Sequence, residues 1–131
     1  MSRELLFDTN ALIDIYKGRQ RIRPYFEAIL NHELTPYLSV ISEAELWRGL
    51  RVNEVDSHHA LLSQYVSLPL HSNAARQAGL WMQQYQPQGL GWMDALIVGT
   101  AVTTNVPILT RDKNLAEVLQ AHAQFELYGD V

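Results

Sequence analysis

Three of the chain's acids stand just after short apolar runs or a turn. Asp8 follows Leu5-Leu6-Phe7, Asp94 follows the turn Pro87-Gln88-Gly89-Leu90-Gly91, and Asp112 follows Ile108-Leu109-Thr110. Glu45 lies shortly after a fourth such run, Tyr37-Leu38-Ser39-Val40-Ile41. In open parallel sheets, sites form beyond the carboxyl ends of the strands, where the next helices begin. Four carboxylates from four segments can therefore reach the same end of one sheet. Crowded carboxylates repel and raise each other's pKa unless a cation lies between them. Hard oxygen donors favour Mg²⁺ or Mn²⁺, and Mg²⁺ is typically held by one or two carboxylates plus waters and phosphates. Such a site suits phosphodiester hydrolysis, because a metal ion acidifies a bound water, stabilises developing charge and orients in-line attack.

Each acid also has a plainer use. Asp8-Thr9-Asn10 is a helix-capping turn by composition. Ser42-Glu43-Ala44-Glu45 reads as a capping box, with Glu45 in the first turn folding back on the Ser42 amide. Asp94 complements the macrodipole of a helix N-terminus. Yet Met93, Ala95, Leu96 and Ile97 around it imply burial, and a buried carboxylate needs a partner. Asp112, in Thr-Arg-Asp-Lys-Asn, fits an ordinary turn or cap. Singly these uses suffice, but together they leave a cluster of like charges unexplained. Asp94 is the more conspicuous because residues 57–93 contain no acid at all.

The elements that must position these acids alternate along the chain. Strands are expected at Leu5 to Phe7, Tyr37 to Ile41, weakly at Ser67 to Leu70, at Val106 to Thr110 and at Phe125 to Tyr128. Helices are expected from Asn10 to about Lys17, from Pro24, from Ser42 to about Gly49 and over 57–66. Further helices are expected from Ser72 or Asn73 to Gln86, over Met93 to Thr103 and over Leu115 to Gln120. Pro36 is read as a break before the second strand. On the helix ending at Gln86, Leu80, Trp81, Met82 and Tyr85 read as a buried stripe. Short apolar strands alternating with helices indicate the α/β class, with a parallel sheet covered by helices on both faces.

The chain has 131 residues, 47% of them hydrophobic and 18% charged. That size and composition fit a single domain over 1–131 and exclude intrinsic disorder. The longest apolar stretch, Ala95 to Val102, is interrupted by Gly99 and Thr100, far short of the roughly 20 apolar residues of a membrane span. MSRELLFDTN brings charges before any signal-peptide core, and there is no cysteine, so a cytoplasmic protein without disulfide or thiol chemistry is expected. The net charge of −4 argues against nucleic-acid binding by bulk electrostatics. Basic residues are nevertheless clustered, with Lys17, Arg19, Arg21 and Arg23 close together.

In their order and spacing these segments resemble the VapC-type toxins of the PIN-domain family. LLFDTN, Leu5 to Asn10, matches the strand carrying the first acid, and ISEAELWRGL, Ile41 to Leu50, the second-acid helix, with Glu45 in the Glu-Leu pair. GWMDALIVGTA, Gly91 to Ala101, matches the third-acid helix, and ILTRD, Ile108 to Asp112, the fourth-acid strand and turn. The resemblance implies a PIN-like α/β/α sandwich with a small central parallel sheet flanked by helices. It also implies a Mg²⁺- or Mn²⁺-dependent endoribonuclease that leaves a 5′-phosphate and a 3′-hydroxyl. Such a protein is the toxin of a toxin-antitoxin pair, with RNA as substrate, a cognate antitoxin as partner and a homodimer as its usual state. By that carry-over Asp8, Glu45, Asp94 and Asp112 are catalytic, with Asp8 and Asp94 the metal ligands. Asn10 and Thr110 orient carboxylates, and Asp112 stands at the family's most variable position, as helper or ligand.

Arg48 and Arg111 each lie a few residues from an acid and are candidates for RNA phosphates, as are Lys17 and Arg19. A solvated loop accounts equally well for the last two, and Arg111 could instead pair with Asp112. His32, His58, His59, His71 and His122 lack the i, i+4 spacing of a helical zinc site and default to surface or capping roles. Trp47, Trp81 and Trp92 suit a core or an interface better than base stacking. Gly89-Leu90-Gly91 lacks the third glycine of a dinucleotide loop. A haloacid-dehalogenase-like phosphatase would need an acid where Asn10 stands, and a receiver domain a late lysine that Lys113 fits poorly. The remaining alternative is a catalytically silent PIN-like module that binds RNA or protein.

Overall fold

The computed structural model describes residues 3–129, and in it the expected alternation closes into one parallel sheet. The strands are β1 (Arg3–Phe7), β2 (Leu34–Ser39), β3 (Val66–Leu68), β4 (Ile108–Thr110) and β5 (Phe125–Leu127), in spatial order β3-β2-β1-β4-β5. The helices are α1 (Thr9–Tyr16), α2 (Arg23–Leu30), α3 (Val40–Arg48), α4 (Val55–Leu62), α5 (Ser72–Tyr85), α6 (Trp92–Thr104) and α7 (Lys113–Leu119). The first strand is thus central, with β2 on one side and β4 on the other.

Side-chain alternation along a strand explains the layers. Leu5 and Phe7 point to one face, into a core with Leu12 and Ile15 of α1, Ile29 of α2, Leu38 and Leu109. Leu6 and Ile108 point to the other, against Trp81 and Met82 of α5, Ile97 and Val98 of α6, and Leu115 and Leu119 of α7. Both faces are covered, so the central strands read as continuous apolar runs, and the fold is the expected α/β/α sandwich. Among the described residues no helix is long and apolar enough to cross a membrane.

Two expectations at β2 need correction. Pro36 does not break the chain before the strand but lies inside it, opposite Leu5 of β1. β3 pairs only with Tyr37 to Ser39, so at Pro36 the strand has β1 as its one neighbour, an edge position that tolerates a residue without an N–H. The following helix also starts earlier than Ser42. Ser39 caps α3, its hydroxyl oxygen accepting from the N–H groups of Ile41 (2.9 Å) and Ser42 (3.4 Å). Glu45 therefore lies beyond the first turn and forms no capping box with Ser42. Ser39→Ala is expected to cost about 1 kcal/mol in urea melts, the usual loss of an N-cap.

α6 is apolar on nearly every side and buried, as a core helix must be. Its closest neighbour is α5. A Cβ at Gly99 would come within 2.9 Å of the Ala74 carbonyl oxygen, so glycine sets the separation of the two helices. Gly99→Ala is expected to lower the melting temperature. Overpacking costs about 1–3 kcal/mol, more than the ~1 kcal/mol helix-propensity gain. The stripe expected on α5 is buried at Trp81 and Met82, but Leu80 is 59% exposed, on the solvent side. Met93 is likewise 47% exposed, so the first turn of α6 is less buried than its composition implies.

Candidate active site

The chain turns from β1 into α1 at Asp8, which is 3% exposed. Its extended backbone makes it the N-cap of α1, and its Oδ1 accepts from the Thr9 N–H at 2.8 Å. Its Oδ2 accepts from the hydroxyl of Thr110, at the end of the neighbouring strand β4, at 2.8 Å. Thr110 Oγ1 in turn accepts the Asp112 N–H at 3.1 Å. Asp112 caps α7, its Oδ1 accepting the Leu115 N–H at 3.0 Å. Both aspartates are therefore helix caps, as their plainer reading held, and each cap occupies only part of a carboxylate's acceptor capacity.

Glu45 approaches from α3. The Thr9 hydroxyl donates to its Oε1 at 2.6 Å, and Thr9 Oγ1 lies 2.9 Å from Ser42 Oγ. Since the one threonine hydroxyl proton goes to the carboxylate, Ser42 donates to Thr9. Asp94 stands in the first turn of α6, half-buried, and its carboxylate accepts no hydrogen bond among the described residues.

The electrostatics show that the four acids share one space. The pKa of Asp94 is pushed up to about 6, first by burial and then by the charges of Asp8, Asp112 and Glu45. Burial also raises Asp8, with the charges of Asp112 and Glu45 adding to it, against the hydrogen bonds from Thr110 and Thr9. Among the described residues no group of three or more acidic or imidazole side chains is placed to hold a metal ion. Mg²⁺ does not require one, because it commonly takes one or two carboxylates and keeps its waters. An unpartnered, partly buried carboxylate among like charges, beside a second one still able to accept, is a donor set that fits such a cation.

The other candidate residues are distributed unevenly. Asn10 is half-exposed in α1, and the hydrogen bond to a carboxylate is made by its neighbour Thr9. Lys17, Arg19 and Arg48 are exposed. Arg111 pairs with Asp14 (Nε to Oδ2, 3.3 Å) rather than with Asp112. His58 is fully buried against Trp47 and Tyr16, contrary to its expected surface role, because α4 turns it inward. Three residues escaped the sequence reading: Thr9, Ser42 as a hydroxyl partner, and Asp14. Asp14 had a signal, because it shares the buried face of α1 with Ala11 and Ile15 at i, i+3, i+4 spacing.

A five-stranded parallel sheet carrying acids beyond the ends of β1 and β4, joined there by acids of α3 and α6, defines the class of fold and site. The family model for the PIN domain matches residues 5–119, and the chain belongs to the PIN-domain family. Its fold is similar to a chain of the VapBC2 complex of Rickettsia felis bound to promoter DNA, at 20% identity and a TM-score of 0.77, covering 96% of this chain and 99% of that one. DNA-bound VapBC from Salmonella typhimurium is similar at 21% identity and a TM-score of 0.76, over 96% and 98% of the two chains. A toxin-antitoxin complex from Klebsiella pneumoniae is similar at 27% identity and a TM-score of 0.68, over 86% and 90%. No curated protein sequence matches.

Proposed function

We propose that this protein is a Mg²⁺- or Mn²⁺-dependent endoribonuclease of the cytoplasm and the toxin of a toxin-antitoxin pair. One observation carries the reading. Asp94 is left without a hydrogen-bond donor, among three other acids, in a place where its charge is disfavoured. Helix capping explains Asp8 and Asp112 but does nothing for Asp94. Asp8 and Asp94 would hold the metal, with Glu45 and Asp112 beside them. A bound divalent ion supplies an acidified water and compensation for charge developing on the scissile phosphate.

The chain's own residues do the rest. Thr110 fixes the Asp8 carboxylate from one side and the Thr9 N–H from the other, so its free lone pairs keep one direction. The Thr9 hydroxyl does the same for Glu45, which can then hold a proton from the attacking water. Arg48, exposed and three residues from Glu45, and Lys17 and Arg19, exposed after α1, are the candidates for RNA phosphates; Arg111 is the weaker one, its guanidinium already on Asp14.

An antitoxin as inhibitor is supported by a groove of about 510 Å³ that begins at Glu45. Ile13, Tyr16, Leu46 and Leu50 line it, with the acids Glu45 and Glu54 and the basic Lys17 among them, which suits a partner segment of mainly apolar side chains. A homodimer is supported by the exposed Leu80 and Trp92, which share a shallow surface along α5 and the start of α6. The test is incubation of the purified, antitoxin-free chain with total cellular RNA. Discrete fragments with Mn²⁺ or Mg²⁺ and none with EDTA are expected, and a folded chain that cleaves nothing in either buffer removes the nuclease reading.

A further inference from the structure

Among the described residues one carboxylate outside the acidic site is fully buried. Asp14, on α1 and 1% exposed, is met by three donors from three other parts of the chain. Arg21, from the 3-10 turn Gln20–Ile22, donates through Nε to Oδ2 at 3.1 Å and through its Nη2 to Oδ1 at 3.3 Å. Arg111, from the loop after β4, pairs through Nε with Oδ2 at 3.3 Å. The Tyr128 hydroxyl, just beyond β5, donates to Oδ2 at 2.7 Å. Burial alone would raise this acid, but the bonds from Tyr128 and Arg21 and the charges of Arg111 and Arg21 hold its pKa below the ordinary range. It is charged, neutralised and fixed.

What this node fixes is the loop of the candidate site. Arg111 lies between Thr110, which holds Asp8, and Asp112, whose N–H returns to Thr110 Oγ1. Tyr128 grips the same loop a second time, its N–H donating to the Thr110 carbonyl at 3.3 Å. Gly129, at φ +82, closes over the node, where a Cβ would lie 3.1 Å from Arg21 Cδ and 3.8 Å from Arg111 Cβ. α1 begins at Asp8 and carries Asp14 further along, so the helix is joined to the 110–112 loop at both places.

We infer that Asp14 is a positioning residue, which through Arg111 and Tyr128 holds the Thr110–Asp112 loop against Asp8 and so sets the arrangement of these two carboxylates. This rests on the proposed nuclease reading and deepens it. It also gives Arg111 an internal task in place of an RNA contact.

The test compares Asp14→Asn, which keeps the shape and removes the charge, with the milder Tyr128→Phe and with Arg111→Ala and Arg111→Lys. Mn²⁺ affinity is read by electron paramagnetic resonance without RNA, amide hydrogen exchange along the chain, and KM for RNA separately from kcat. Asp14→Asn is expected to weaken Mn²⁺ binding about tenfold, the scale of losing a group that orients a ligand. It should also speed exchange of the Asp112 amide while amides of α5 and α6 keep their rates, and leave KM for RNA unchanged. Tyr128→Phe should act in the same direction, and Arg111→Lys should recover part of what Arg111→Ala loses. A lower melting temperature with unchanged Mn²⁺ affinity and unchanged Asp112 exchange would overturn the inference. So would an Arg111→Ala variant that raises KM for RNA and leaves metal binding alone. If the wild type binds no Mn²⁺, the nuclease reading falls, and the exchange of Asp112 alone decides whether Asp14 positions the loop.

Discussion

Asp8→Asn is expected to lower metal-dependent RNA cleavage by about 10²–10³-fold or more, the scale of losing one group that acts on developing charge. It should do so without unfolding the protein. Asparagine caps helices as well as aspartate does, so the bond from the Thr9 N–H survives. The Thr110 hydroxyl, which donates to Asp8 Oδ2, can rotate to accept from an amide instead. Removing a charge from a residue only 3% exposed also relieves a burial cost, so the melting temperature should hold or rise. Cleavage assays and thermal melts on one preparation check both halves. Full metal-dependent cleavage by the variant would remove Asp8 from the site.

The second large effect is a pH dependence that a divalent ion reverses. An unfolded aspartate titrates near pH 3.9, whereas Asp94 in the folded chain is raised to about 6. Between these values the folded state binds more protons, so metal-free stability should fall as pH rises from about 4 to about 6 and level off above. Asp8 is shifted in the same direction. Asp14 and Glu126 are shifted the other way, down, so their contribution is present above the unfolded value and is lost as pH drops through their folded values. Buried His58 is shifted down as well, so its contribution is present above the unfolded value near 6.5 and is lost as pH falls, opposing Asp94 and Asp8. The Asp94 share is therefore read against Asp94→Asn: the change in metal-free stability from about pH 4.5 to about 7.5 should be less favourable in the wild type than in that variant. Mn²⁺ at about 100 times its Kd should add about 2.7 kcal/mol, chiefly at the higher pH, where the carboxylates are free to bind it. Melts of wild type and Asp94→Asn in EDTA and in Mn²⁺ at the two pH values test this, and the variant should also respond less to Mn²⁺. The same pH dependence in wild type and Asp94→Asn, with no response to Mn²⁺, would mean that the acids do not crowd one another.

Much of this was legible in the residues. Leu5-Leu6-Phe7 and Ile108-Leu109-Thr110 are apolar on both faces, which only a sheet covered on both sides explains, and the acids after them mark the strand ends. The start of α3 was not legible, because Ser39 and Ser42 are both competent caps and only the pairing of β2 as far as Ser39 decides between them. That choice moved Glu45 from a local bond to Ser42 onto Thr9, 36 residues away in sequence. Arg111 misled for the same reason. Asp112 is its neighbour in the chain, but Asp14 is its neighbour in space, and only the fold brings that contact about. Exposure of Leu80 depends on how α5 rolls against α6, which Gly99 and Ala74 set and a hydrophobic pattern does not record.

The bond between Thr110 and Asp8 spans 102 residues. During synthesis, Asp8 leaves the ribosome long before the strand that will hold it has been made. A growing chain can form β1, α1 and the Ser39 cap, yet Asp8 lacks its threonine until β4 has emerged and slid in beside β1. For a protein whose proposed substrate is RNA, the machine that makes it is built of potential targets. The order of the acids along the chain therefore acts as a timer on the proposed nuclease centre, which gains Thr110 and Asp112 only as β4 docks.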